Sequence, residues 1–169
     1  MVKWSASADP LTAPHTWDEA DTTADAGETS LSETNGTNID CLPLRDVNII
    51  YKDDAVYGMQ FIGGAFIFRF YQIFSGVGLI AKRCVAAFEN YHCFVGNDLD
   101  VYVHDGNSIR SIAQDKWRSW LRENVDGSRY ERMFVVANPV TTEIWICVPT
   151  GDSEYPDTAL LWNWRKDVW

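Results

Sequence analysis

What most constrains this chain is a pattern of short runs that alternate apolar and polar residues and are cut every few positions by Gly, Asn, Asp or Pro. The clearest case is YHCFVGNDLDVYVHDG, Tyr91 to Gly106. Tyr91, Cys93 and Val95 alternate with His92 and Phe94, and Val101 and Val103 alternate with Tyr102 and His104. A period of two on both sides of Gly96-Asn97-Asp98 predicts a hairpin. Asn, Asp and Gly suit its turn because they tolerate positive φ or bond their own backbone. Asp105-Gly106-Asn107 is a second turn, after which Ile109 to Ile112 extends the unit by one more strand.

Similar sets flank this one. Before it, NIDCLPL reads as a strand ended by Pro43, followed by strands at Val47–Tyr51, Ala55–Ile62 and AFIFRFYQI. Lys52-Asp53-Asp54 and Gly63-Gly64 supply turns between them. Arg83–Glu89 opens the middle set. After it, Tyr130–Pro139, Glu143–Pro149 and Thr158–Arg165 read as strands, and Val168-Trp169 begins a fourth. Each set carries an apolar-aromatic pair in its third strand: Val56-Tyr57, Val101-Tyr102 and Leu161-Trp162. Antiparallel four-strand units at this spacing predict a mainly β fold built as about three β-propeller blades, a partial propeller. An ordinary antiparallel sandwich is the plainer alternative. Because closed propellers have about four to eight blades, three imply a larger propeller or copies that assemble to complete one.

One helix interrupts the strands. In QDKWRSWLREN, residues Trp117, Trp120 and Leu121 fall at i, i+3 and i+4, a single apolar stripe suited to core packing. Arg118 and Arg122 lie off that stripe and are expected in water. The extra length of the third set comes from this helix and from the loop at 149–157.

Residues 1–38 differ in kind. MVKWS reads as one short strand. The rest, to residue 38, is rich in Asp, Thr, Ser, Ala and Gly, with few apolar anchors (Leu11, Trp17, Leu31). It is expected to form an extended acidic arm that reaches a neighbouring surface, with Trp17 docked. The division is thus a strand and acidic arm over 1–38 and a partial propeller domain over 39–169. Of the formal charge of −10, residues 1–40 hold one lysine against eight carboxylates. The remainder holds thirteen bases and sixteen acids. A broad nucleic-acid footprint needs clustered Lys and Arg and is excluded on this balance.

No catalytic, cofactor-binding or metal-ligating residue is assigned, and no cofactor is expected. Cys41, Cys84, Cys93 and Cys147 lack C-x-x-C spacing and read as reduced thiols in apolar runs. His15 lies in the arm. His92 and His104 sit on adjacent strands of one hairpin, where they read as hydrogen-bonded strand residues without a third metal ligand. Asn97-Asp98-Leu99-Asp100 lacks the twelve-residue ladder and closing Glu of a Ca²⁺ loop, so it reads as a turn. No nucleophile elbow, zincin motif or P-loop is present. AFIFRFYQIF is too short to span a bilayer and contains Arg69. MVKWSASADP lacks the apolar core of a signal peptide.

The segments LPLRDVNIIYKDDAVYGMQFIGG, FIFRF, RCVAAFENYHCFVGNDLDVYVHDG and TEIWICVPTG…PDTALLWNWRKDVW resemble bacteriophage virion structural proteins. The likeness is to the propeller-bearing tail hub or nozzle proteins of short-tailed phages. VKWS followed by Trp17-Asp18-Glu19 extends it over nearly the whole chain. The resemblance implies a non-enzymatic role in a ring below the portal, with DNA passing transiently and non-specifically through the lumen. It implies other copies of the chain and other tail or portal-adaptor proteins as partners, no membrane span, synthesis in the host bacterial cytoplasm and residence in the virion tail. An acidic wall would repel a sliding polyanion. Two other classes fit the fold: a carbohydrate- or receptor-binding propeller presenting aromatics such as Tyr155 and Trp164, and a fragment of a propeller hydrolase.

Overall fold

The computed structural model describes residues 1–9, 11–64 and 66–169. Over these the chain forms four antiparallel sheets and few helices. An N-terminal ribbon pairs β1 (Val2–Trp4) with β2 (Gly27–Thr29). Sheet I is the meander β3 (Asn38–Leu44), β4 (Val47–Lys52), β5 (Ala55–Phe61) and β6 (Phe68–Ser75). Sheet II follows as β7 (Val85–Phe88), β8 (Tyr91–Val95), β9 (Val101–His104) and β10 (Ile109–Ser111). The helix α1 (Gln114–Asn124) leads through a 3-10 turn at Gly127–Arg132 into sheet III: β11 (Phe134–Asn138), β12 (Glu143–Val148) and β13 (Thr158–Asn163).

The pleat sorts side chains between layers. In sheet I, Ile49, Tyr51 and Val56 face sheet II, while Ile50, Ala55, Tyr57 and Met59 face the ribbon. Sheet II is apolar on both faces. Phe94 meets Tyr51 at 5.3 Å, and on the opposite side Phe88 meets Trp162 edge-on at 5.9 Å. Sheet III directs Val135, Ile144, Ile146, Leu160 and Trp162 into the same core. The first strands of the three meanders neighbour one another, β7 lying between β3 and β11. The Arg83 amide donates to Asp40 Oδ2 at 2.8 Å on one side, and the Val135 amide donates to the Arg83 carbonyl at 2.9 Å on the other.

Backbone also closes tightly between sheets I and II. A Cβ on Gly78 would stand 2.1 Å from the Asp53 carbonyl carbon, so only glycine fits there. The Asn97 amide donates to the Gly78 carbonyl, and the Asn97 side-chain amide donates to the Asp53 carbonyl.

Several expectations are corrected. Pro43 does not end its strand: β3 is the edge of sheet I, where a missing N–H leaves no ladder bond unmade. The first strand of the third set begins at Phe134 instead of Tyr130, because the Asp126 carboxylate caps the Ser128 amide and winds the preceding residues into the 3-10 turn. Only a bridge between Asn163 and Val168 stands where a fourth strand was expected. The acidic arm folds back on its own chain. Its residues 27–29 form β2, Leu31 is buried against sheet I, and Lys52 Nζ donates to the Leu31 and Thr34 carbonyls at 2.8 and 2.7 Å. Trp17 is 54% exposed and undocked.

The helix follows its predicted span. Leu121 is fully buried, and Trp117 and Trp120 are half-buried against the same core. Ala113 supplies no side-chain cap, so packing holds the helix. Its arginines are not free in water. Arg118 pairs with buried Asp100 at 2.7 Å, and the Arg122 guanidinium donates to the Asp98 carbonyl.

Candidate functional site

The most concentrated titratable chemistry lies at the seam of sheets I and II. His92 and His104 are register partners on β8 and β9, so the pleat puts both rings on one face. Tyr51 of β4 reaches between them, its hydroxyl 2.8 Å from His92 Nδ1 and 2.6 Å from His104 Nε2. The outer nitrogens fix the tautomers. Pro43 O, an acceptor only, lies 3.0 Å from His92 Nε2, so that nitrogen carries hydrogen and Nδ1 is bare. The Gly106 amide donates to His104 Nδ1 at 3.1 Å, so His104 carries its hydrogen on Nε2. One directed chain results. Gly106 N–H donates to His104, His104 Nε2–H to the Tyr51 oxygen, Tyr51 O–H to His92, and His92 Nε2–H to the Pro43 carbonyl.

Every link needs neutral imidazoles and a protonated phenol. Burial pushes His104 down to about 3, helped by the neighbouring His92, and burial lowers His92 as well. Burial raises the Tyr51 phenol well above its ordinary value. The cluster is closed to solvent, with all three side chains at 1% exposure or less. It therefore joins layers; it does not present a base to a substrate.

The Asn97–Asp100 segment is a turn. Asp98 accepts from the Asp100 amide and the Tyr102 hydroxyl; Asp100 accepts from the Val101 amide, the Ser111 hydroxyl and Arg118. Among the described residues no group of three or more His, Cys, Asp or Glu is placed to hold a metal ion. The four thiols are free, with Cys41 exposed, Cys147 half-buried, and Cys84 and Cys93 buried. Burial pushes Cys84 up to about 12 and Cys93 up as well. His15 stays in the exposed arm, away from the pair.

Of the aromatics proposed as recognition loops, Tyr155 is exposed with Arg132 over its ring at 4.9 Å. Trp164 is engaged, packing on Phe88 at 5.0 Å and donating to Glu89. An open groove of about 490 Å³, which the sequence did not reveal, lies between arm and sheet I. It is lined by Trp4, Phe66, Phe68 and Phe70 together with Asp25 and Glu28. The signal available was the FIFRF run, but the partners come from the arm.

Fold and site define a mainly β protein of antiparallel meanders in which the buried Tyr51, His92 and His104 serve the packing between sheets I and II. No protein-family profile and no curated protein sequence matches the chain. No helix among the described residues is long and apolar enough to cross a membrane.

Proposed function

We propose that this chain is a structural component of a bacteriophage tail, of the hub or nozzle type, whose sheets I to III are blades of a partial β-propeller. The observation that carries the reading is the order of the stack. Three meanders follow one another in the chain, and the first strand of each neighbours the first strand of the next. That order supports a reading of the three meanders as blades set about an axis. Among the described residues the buried charged and imidazole side chains Lys52, His92, Asp100 and His104 have partners inside the fold, which suits a scaffold, whereas the buried Tyr57 hydroxyl has none. Copies of the chain form a ring, together with other tail or portal-adaptor proteins, and line part of the DNA conduit below the portal. The net charge of −10 keeps passing DNA from adhering. The protein is made in the host cytoplasm, where free thiols persist, and ends in the virion.

Immunogold labelling of virions with antibody to this chain tests the proposal. Gold at the tail below the portal is the expected result. Label confined to the soluble lysate, with bare tails, overturns it.

The groove of Trp4, Phe66, Phe68 and Phe70 with Asp25 and Glu28 favours one alternative, a carbohydrate-binding module. Ring faces suit sugar C–H surfaces, and carboxylates accept hydroxyl hydrogens. Binding on a glycan array that disappears in Phe66→Ala would support it; an array blank for the wild-type protein would remove it.

A further inference from the structure

The groove between the arm and sheet I combines aromatic rings with carboxylates, and among the described residues no base lines it. Phe68 and Phe70 alternate with Arg69 and Tyr71 along β6, so the pleat turns both phenyl rings toward the ribbon. Trp4 of β1 meets them there, 5.3 Å from Phe68 with the planes at 73° and 5.8 Å from Phe70 with the planes at 33°. The indole is held in place. Its Nε1–H donates to the Asp25 carbonyl at 2.8 Å, and β2 runs so close that a Cβ on Gly27 would stand 2.5 Å from the ring. Arg69 points away, its guanidinium over the Tyr71 ring at 5.3 Å. The carboxylates are lightly engaged. Asp25 Oδ2 accepts from the Ser7 hydroxyl, and Oδ1 has no donor among the described residues. Glu28 lies 3.8 Å from Lys3, whose ammonium is bonded to Glu19 instead.

We infer that this groove binds a small organic cation whose head is a methylated ammonium, as in choline. The inference goes beyond the structural role and does not depend on it. The face of an aromatic ring is the negative pole of its quadrupole and attracts a cation, most strongly at Trp. Asp25 and Glu28 add two full negative charges at the same place. A methylated ammonium carries its charge beneath C–H surface, so it sheds water readily and packs on rings. A lysine-type ammonium is a poorer occupant, because it is strongly hydrated and brings three N–H donors that each need an acceptor. A sugar is poorer too. Its hydroxyls need donors as well as acceptors, and the groove offers mainly acceptors. An anion is repelled by both carboxylates.

The size and openness of the groove set the strength of binding. Its volume of about 490 Å³ falls within the range of small-ligand sites, so the head group and a short tail fit together. Trp4, Phe68 and Phe70 are only half-buried, which keeps each ring contact modest, and the dissociation constant is expected on the order of 1 mM. Because Asp25 and Glu28 are exposed, their share is screened by salt, and affinity should fall as ionic strength rises from about 0.02 to about 0.2 M. A neutral ligand of the same shape should feel no such dependence.

Titration of the isotope-labelled full chain with choline chloride, followed by NMR at the Trp4 indole N–H, tests the inference. The spectrum of Trp4→Phe identifies that resonance. Choline should shift it, and the neutral analogue in which a tert-butyl group replaces trimethylammonium should bind at least tenfold more weakly. Asp25→Asn combined with Glu28→Gln should weaken choline at least fivefold while keeping the wild-type near-UV circular dichroism. If that double variant fails to fold, the ratio of choline to its neutral analogue on the wild-type protein decides alone. Equal affinity for the two ligands, or a Trp4 resonance unmoved by about 50 mM choline, overturns the inference. Shifts produced by methyl glucoside and not by choline overturn it in favour of the carbohydrate-binding alternative. The tail assignment is judged separately, by the gold label.

Discussion

Acid should loosen the seam between sheets I and II before it touches the rest of the fold. Burial holds His104 at about 3 in the native protein and lowers His92, whereas an unfolded imidazole titrates near 6.5. The unfolded chain therefore takes up protons first, and the stability due to neutral imidazoles is complete above about pH 6.5 and drains away as pH falls toward 3. Between pH 6.5 and 5, His104 alone should cost about 2 kcal/mol, from roughly 1.5 pH units at about 1.36 kcal/mol each. Carboxylates held below their ordinary values, Asp105 by the Ser108 and Asn107 amides and Asp126 by the Ser128 amide, lose their contribution only at lower pH. The interval from pH 7 to 5 thus isolates the histidines. The companion perturbation is Tyr51→Phe at pH 7.5. It strands one buried acceptor, His92 Nδ1, and one buried donor, His104 Nε2–H, at about 1–3 kcal/mol each, so about 2–6 kcal/mol in total. Tyr102→Phe is the control, since its hydroxyl bonds Asp98 near the surface and its loss should cost under about 1 kcal/mol. Urea unfolding followed by tryptophan fluorescence reads both effects as a change in midpoint at constant slope. Tyr51→Phe within about 0.5 kcal/mol of wild type, or a midpoint flat from pH 7 to 5, would refute the directed hydrogen-bond chain.

Further outcomes follow from single contacts. Lys52→Met removes the donor to the Leu31 and Thr34 carbonyls, and hydrogen exchange should rise across residues 31–37 while β8 and β9 keep their protection. Leu121→Ala empties a fully buried site under the helix and should cost about 2–5 kcal/mol in urea unfolding; a cost below about 1 would show that the helix is not part of the core. Gly78→Ala forces a methyl group into the Asp53 backbone and should lower the melting temperature by several degrees, where Gly151→Ala, which meets no atom within 4 Å and carries only the strain of its φ of +54°, should do less. With a disulfide reagent on the native protein, Cys41 should react fast and Cys147 more slowly, and Cys84 and Cys93 only after denaturant is added.

Strand positions were legible because a period of two is written locally, and β8 and β9 fall where Tyr91–Val95 and Val101–His104 predict them. The helix was legible for the same reason, through Trp117, Trp120 and Leu121. The pairing of His92 with His104 was also within reach, since both lie on one hairpin. Their third partner was not, because Tyr51 comes from another sheet 41 residues away, and nothing in VNIIY marks its hydroxyl as buried. The arm misled for a different reason. Its charge and sparse apolar residues read as a segment that leaves the body, but Leu31, the β1–β2 ladder, the carbonyls taken by buried Lys52 and the bonds of Thr34, Gly36 and Thr37 to Asp53 and Asp54 hold it in place. Arg118 was expected in water because helical periodicity ranks it polar; periodicity carries no information on Asp100, 18 residues earlier, waiting at 2.7 Å.

Apolar burial holds sheets together without fixing how they are turned or slid against one another, since the hydrophobic effect has no direction. In this protein, register between layers comes from polar contacts at each internal seam. The Gly106–His104–Tyr51–His92–Pro43 chain and the Arg83–Asp40 bond align sheet II on sheet I. The Val135–Arg83 backbone bond and the Trp164 and Arg165 contacts to Glu89 align sheet III on sheet II.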